Sequence, residues 1–260
     1  NATDLRQLII NEEAKLPRLR LEGFPDVERI QNDLHEFLEN AFSAYGKDDM
    51  IVITRSNKRA NLFNQQIRQR ILWLEEEINA GDRMMVLKNN YHWLKAAEYT
   101  AGFIANGDTL EIRRVMGFED RDKFRFCKAV VKMPDYPEMP EFETLLLCNT
   151  IWDNHASLPQ EERMALARLI AEDYPELTDA RQLKKAVKSD PYYNALQVKF
   201  SYAITCHKAQ GGQWPCVFVD QGYITDEMAG VELNRWFYTA FTRAQEKLFL
   251  VGFEDQFFHE

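Results

Sequence analysis

The chain has 260 residues, 45% of them hydrophobic and 28% charged, a balance that supports one large or two modest packed domains and excludes a largely disordered polypeptide. No apolar run approaches the roughly 20 residues of a membrane span, and the N-terminal residues lack the order of a signal peptide, so a protein of the cytoplasm without a membrane partner is expected. A net charge of −9 excludes a uniformly basic surface, although a local basic groove with aromatic platforms is compatible with an acidic remainder.

The chain opens on Asn1 rather than Met, and Asn1-Ala2-Thr3-Asp4 runs straight into an apolar-spaced stretch, as expected of a piece of a longer chain. From Pro25, the three- and four-residue spacing of Val27, Ile30, Leu34, Leu38, Ala41 and Phe42 predicts an amphipathic helix. After the polar break at residues 46–49, Met50-Ile51-Val52-Ile53-Thr54 has the unbroken apolar character of a buried parallel strand. A second helix is predicted from Ser56-Asn57, with Phe63, Ile67, Ile71, Leu74 and Ile78 on one face. Helix, strand, helix is the alternation of an α/β layer fold.

From Gly81 the texture changes to short β-like runs at residues 83–87, 109–113, 124–132 and 142–148, with Asn106-Gly107 predicting a type I′ turn. A small barrel inserted into the α/β domain is therefore expected. Ser157 and Gln160 have the spacing of a capping box for a helix through Ile170, and a second helix is predicted around residues 180–187, both read as an appendage to the barrel. The α/β texture resumes with Val198, Phe200, Tyr202 and Ile204 alternating as one strand, then a buried strand at 217–219, a helix through Leu233, Trp236, Phe237 and Ala240, and a strand at 248–251. Cys127, Cys148, Cys206 and Cys216 form no Cys-x-x-Cys pair and are expected to be buried thiols, and no metal site is expected.

Two segments near the end carry the most specific signal. Phe200-Ser201-Tyr202-Ala203-Ile204-Thr205-Cys206-His207-Lys208-Ala209-Gln210-Gly211-Gly212-Gln213 is followed about thirty residues later by Trp236-Phe237-Tyr238-Thr239-Ala240-Phe241-Thr242-Arg243-Ala244. In this order they resemble motifs V and VI of the superfamily 1 helicases. Val52-Ile53-Thr54-Arg55-Ser56-Asn57 resembles the strand-to-helix motif that precedes the insertion in that family, and residues 81–86 and 105–108 resemble the Src-homology-3-like (SH3-like) barrel of its RecD-like branch.

The resemblance implies a RecA-like parallel-sheet domain, related to the P-loop NTPases but without the P-loop, in two segments, 1–80 and 196–260. Between them, residues 81–195 would form the SH3-like barrel and its helical appendage. It implies that Arg243 is the arginine finger, that Gly211 lies near the terminal phosphate of ATP and Gln213 near its sugar, and that Arg55, Ser56, Asn57, Thr205, His207 and Lys208 meet the strand. A guanidinium delivered from a second domain neutralises the charge that builds on the transferred phosphoryl group. Out of context the same Arg243 would read as a surface arginine favoured by a helix C-terminus. The other branch of the family has Glu where this chain has Gln213, which weakens the sugar assignment.

The chain contains no Gly-x-x-x-x-Gly-Lys-Ser/Thr, and Val217-Phe218-Val219-Asp220 runs into Gln221 rather than Glu. By the resemblance, the grip on ATP and Mg2+ belongs to a missing N-terminal RecA-like domain, and this piece alone is expected to be inactive. The function implied is the C-terminal part of an ATP-dependent DNA helicase moving 5′ to 3′ on single-stranded DNA. The alternative is a nucleic-acid-binding or partner-docking module that has a helicase-like fold and drives no motor.

Overall fold

The computed structural model describes residues 1–13, 15–94 and 102–259. In chain order its elements are α1 (Ala2–Ile10), β1 (Val27–Ile30), α2 (Leu34–Tyr45), β2 (Met50–Thr54), α3 (Asn57–Arg70), β3 (Arg83–Val86), β4 (Thr109–Arg121), β5 (Phe124–Lys132) and β6 (Phe142–Leu147). There follow α4 (Gln160–Ala171), α5 (Ala180–Ser189), β7 (Leu196–Phe200), β8 (Ala203–Thr205), β9 (Trp214–Asp220), α6 (Val231–Phe241) and β10 (Ala244–Val251). They form two compact units, one of Asn1–Trp73 with Tyr202–Glu260 and one of Leu74–Ser201. The fold is mixed α/β, a parallel sheet in the first unit and a closed barrel in the second. Among the described residues no helix is long and apolar enough to cross a membrane.

The sheet has the order β1-β10-β9-β2-β8 and every neighbouring pair is parallel. All five residues of β2 are buried, as an apolar run covered on both faces requires. Ser56 caps α3, its hydroxyl accepting from the Arg59 N–H, and the helix buries Ala60, Phe63 and Ile67. Opposite in sequence, α6 buries Phe237 and Phe241 against Phe253 and Phe257, with ring centroids 5.5 to 6.0 Å apart. The edge strand β8 is held from the side by Asn64, whose amide donates to the Ala203 carbonyl and whose Oδ1 accepts from the Ala203 N–H, both at 2.8 Å. A side chain thus supplies what a further strand would.

The barrel closes in the order β3-β4-β5-β6-β7 and back to β3. Its one parallel pair is β6 with β7, and a parallel pair needs a long crossover between its strands. The two helices α4 and α5 are that crossover. Leu158, Leu166, Ile170 and Val187 pack with Phe124, Phe126 and Leu147 in one buried cluster. Thr150 ties the two strands, donating to the carbonyls of Leu147 and Val198 at 2.9 and 3.0 Å.

Five local expectations change. Val27 and Ile30 are in a strand, registered with Leu248 and Val251, and Asp33 at φ 57 separates them from α2. The sheet edge demands extended backbone there, and the helical spacing arises where a strand abuts a helix. The second helix stops at Arg70, Trp73 takes φ 56, and Leu74 and Ile78 fall in the other unit. At residues 105–108 only Gly107 has positive φ, 103°, with the Asp108 N–H donating to the Ala105 carbonyl, so the turn is type II rather than I′.

Helix α4 begins after Pro159, which stands at the N-cap with no side-chain bond, so Ser157 lies two residues outside the helix and forms no capping box with Gln160; the Leu158 N–H donates to Gln197 Oε1 at 2.9 Å. The run from Val198 to Ile204 is two strands, since Phe200 registers with Met84 in the barrel and Ala203 with Val52 in the sheet.

Two tests follow from this packing. Replacing Asn64 by Leu leaves a buried carbonyl and N–H unmatched and should lower stability by about 2–4 kcal/mol in urea unfolding; a change below roughly 0.5 kcal/mol would show that β8 does not depend on it. In the barrel, Lys199 is buried, its ammonium donating to the Asp153 carbonyl, and burial pulls its pKa from 10.5 down to about 8. Between those values the unfolded chain holds more protons than the folded one, so stability should rise with pH across that window. Lys199→Met should remove this part of the rise in thermal melts, and an identical pH profile for the two proteins would refute it.

Candidate nucleotide and nucleic-acid sites

Neighbouring parallel strands β2 and β8 end together, Thr54 registering with Thr205, so the residues after them leave the sheet at the same edge. Arg55 is half-buried there. It donates to the Tyr223 carbonyl at 2.9 Å, and its guanidinium carbon lies 5.8 Å from the ring centroid of Trp236. Ser56 is exposed but spends its hydroxyl as the α3 cap, accepting from the Arg59 N–H at 3.2 Å, and Asn57 opens that helix half-buried.

After β8 the chain turns tightly. The Thr205 carbonyl accepts from the N–H groups of Lys208 and Ala209 at 2.8 and 3.1 Å. This leaves His207 exposed and Lys208 half-buried, where desolvation lowers the lysine pKa.

Of the six residues predicted to meet a strand, the structure brings Arg55 and His207 into one cleft of about 900 Å3. Ser56, Asn57, Thr205 and Lys208 lie in the same two turns without lining it. Sequence reading missed what completes the wall: Arg6 from α1 and Arg235, Trp236 and Tyr238 from α6. Trp236 belongs to the segment singled out for Arg243, but only the packing of α1 on α6 shows which of its residues turn toward the cleft. The Cys206 thiol, donating to the Trp236 carbonyl at 3.6 Å, links the β8 turn to that helix.

The other end of the sheet carries Gly211, Gly212, Gln213 and Arg243, because Trp214 begins β9 and Ala244 begins β10. Gly211 has φ 86 and open space where a Cβ would stand. A Cβ on Gly212 would lie 2.4 Å from the Trp214 ring, so any side chain there would force the indole to move. Arg243 is half-buried; its Nε donates to the Thr239 carbonyl at 2.9 Å, one Nη to the Gly212 carbonyl at 3.0 Å and the other to Thr242 Oγ1 at 3.0 Å. These bonds use three of a guanidinium's five N–H donors. Gln213 is exposed and accepts from the Gln245 amide at 3.4 Å. The nucleotide candidates therefore converge, at the end of the sheet opposite to the strand candidates.

No group of three or more His, Cys, Asp or Glu that could hold a metal ion occurs among the described residues. Asp220, 2% exposed at the end of β9, is spent on Arg59 through two bonds of 2.9 and 2.5 Å. That pairing raises the Arg59 pKa. All four thiols are buried and free, and burial pushes those of Cys127 and Cys206 up to about 11 and that of Cys216 to about 12.

Residues 200–251 match the UvrD-like helicase C-terminal domain family. No curated protein matches the chain. Among solved structures, the chain is similar to the Pif1 helicase from Candida albicans, at 14% identity and a TM-score of 0.33 over 100% of this chain and 54% of that one. It is also similar to Bacteroides Pif1 bound to ssDNA, at 12% identity and 0.40 over 81% and 42%, and to Pif1 helicase from Bacteroides in complex with ADP-AlF3 and ssDNA, at 12% and 0.40 over 88% and 52%. The chain spans about half the length of these proteins. The stretch similar to the UvrD-like helicase C-terminal domain, residues 200–251, holds the β8 turn, both glycines and Arg243.

Proposed function

We propose that this chain is the C-terminal motor part of an ATP-dependent DNA helicase of the RecD-like branch, working 5′ to 3′ on single-stranded DNA in the cytoplasm. Its RecA-like domain is made of the two outer segments, and the barrel between them is the SH3-like insertion. The division of the chain after Trp73 and after Ser201 supports that arrangement. Arg243 is the arginine finger, Gly211 and Gln213 border the nucleotide, and Arg55, Ser56, Asn57, Thr205, His207 and Lys208 meet the strand.

The observation that carries this reading is that the β8 turn, eight residues between Thr205 and Trp214, joins the two ends of the sheet where the two sets of candidates lie. A displacement at the nucleotide end is transmitted to the strand end through a short, hydrogen-bonded piece of backbone.

The residues present fit part of what ATP requires. The two further N–H donors of Arg243 and the open, positive-φ Gly211 suit anionic oxygens. They do not fit Mg2+, for which no carboxylate cluster exists among the described residues. The metal and the remaining phosphate contacts fall to an N-terminal RecA-like domain, the partner this reading requires. ATP, when bound, would supply the free energy of the cycle; this chain's part is to orient Arg243 and hold the strand.

In the protein that includes that partner domain, Arg243→Ala should cut strand-stimulated ATP hydrolysis by about 10³ or more while leaving affinity for single-stranded DNA within about twofold. ATPase undiminished by the substitution would overturn the motor reading and favour a module that binds nucleic acid without driving a motor.

A further inference from the structure

The cleft between α1, the two turns and α6 lies entirely within the first unit, and its chemistry goes beyond phosphate contact. In a chain of net charge −9, Arg6 and Arg55 both line this one cleft, and neither has a carboxylate partner among the described residues. The wall's one carboxylate, Glu232, is taken by Arg235 at 2.6 Å. Between the cations stand an indole, Trp236, with the Arg55 guanidinium above its ring, and the phenol of Tyr238. Ile10 at the mouth is 61% exposed. A purely ionic site for the backbone of a strand has no use for an aromatic and aliphatic wall. A site for an unstacked base beside its own phosphates uses both.

We infer that this cleft takes a nucleobase of the bound single strand against the Arg55–Trp236 pair, with Arg6 and Arg55 meeting the flanking phosphates. The inference rests on the proposed strand binding and adds to it a base-dependent component, sequence-tolerant because every base has a π face. The charge balance of the cleft selects this occupant over an apolar protein segment, which would leave two arginines buried without anions.

The test compares a dye-labelled oligothymidylate of about 12 nucleotides with an abasic strand of the same length, both titrated with the 260-residue chain and read by fluorescence anisotropy. Trp236→Ala should weaken binding to the base-bearing strand by roughly 5- to 100-fold and leave binding to the abasic strand unchanged. Arg6→Ala should weaken both and flatten the dependence on salt. Should the alanine variant fold poorly, Trp236→Phe should keep most of the affinity and Trp236→Leu, which preserves bulk without a π face, should not.

Equal affinity of wild type and Trp236→Leu for the base-bearing strand, or equal weakening on both strands, overturns the inference. It does so while leaving strand binding itself standing. A wild-type chain that binds neither strand removes the proposed nucleic-acid function together with the cleft's role.

Discussion

Between Thr205 at the end of β8 and Trp214 at the start of β9 the chain has eight residues in which to pass from one end of the parallel sheet to the other. It does so by a helical turn, with the Ala209 N–H donating to both the Thr205 and Cys206 carbonyls and Gly212 N–H to the Ala209 carbonyl, and by the left-handed backbone at Gly211. Ala209 is fully buried, so the turn is pinned at its middle as well as at its ends. Every candidate that the sequence offered in the first unit lies on this turn or at its start, on the adjacent turn after β2, or on Arg243, which is hydrogen-bonded to the Gly212 carbonyl.

The acidic net charge and the basic cleft are reconciled by where arginines are neutralised. On the barrel, Arg113, Arg121 and Arg125 are tied to Glu141, Asp173, and Glu77 with Asp120. Such half-exposed pairs add little stability each, but they remove positive potential from that surface. On the sheet, Arg59 is consumed by the buried Asp220. Arg6 and Arg55 line the cleft without a carboxylate partner among the described residues, and a field set by proximity rather than by net charge is what a strand would sense.

Much of this was legible in the residues. The apolar run at 50–54 read as a buried parallel strand, that at 217–219 as a buried strand and that at 248–251 as a strand, because strands covered on both faces need no alternation. The β-like runs of the barrel were visible for the same local reasons. What failed depends on partners distant in sequence. Val27 and Ile30 satisfy helical spacing and are extended only because Leu248 and Val251 stand beside them. The single alternation from Val198 to Ile204 hid a change of sheet at Ser201–Tyr202, since side-chain period is blind to which strand pairs with it. The two helices between β6 and β7 read only as an appendage to the barrel; they become intelligible once β6 and β7 prove parallel. Arg6 and Trp236 entered the candidate site only through the packing of α1 against α6.

Arg243 is held by three acceptors of its own chain, two of them backbone carbonyls. A long side chain fixed in this way has already lost the rotamer freedom that a reach toward a nucleotide would otherwise cost. In the proposed motor it could act with its remaining N–H donors while keeping the Gly212 bond, or it could let go of that carbonyl on closing. The first route makes the guanidinium a fixed part of the β8 turn, so that charge developing on the phosphoryl group pulls directly on the backbone leading to His207. The second would free the glycine turn at the moment of hydrolysis. The close fit of Gly212 against Trp214, whose own N–H donates to the Arg243 carbonyl at 2.9 Å, favours the first. Releasing the side chain would still leave the turn clamped by the backbone, and a clamped turn transmits force better than it stores slack.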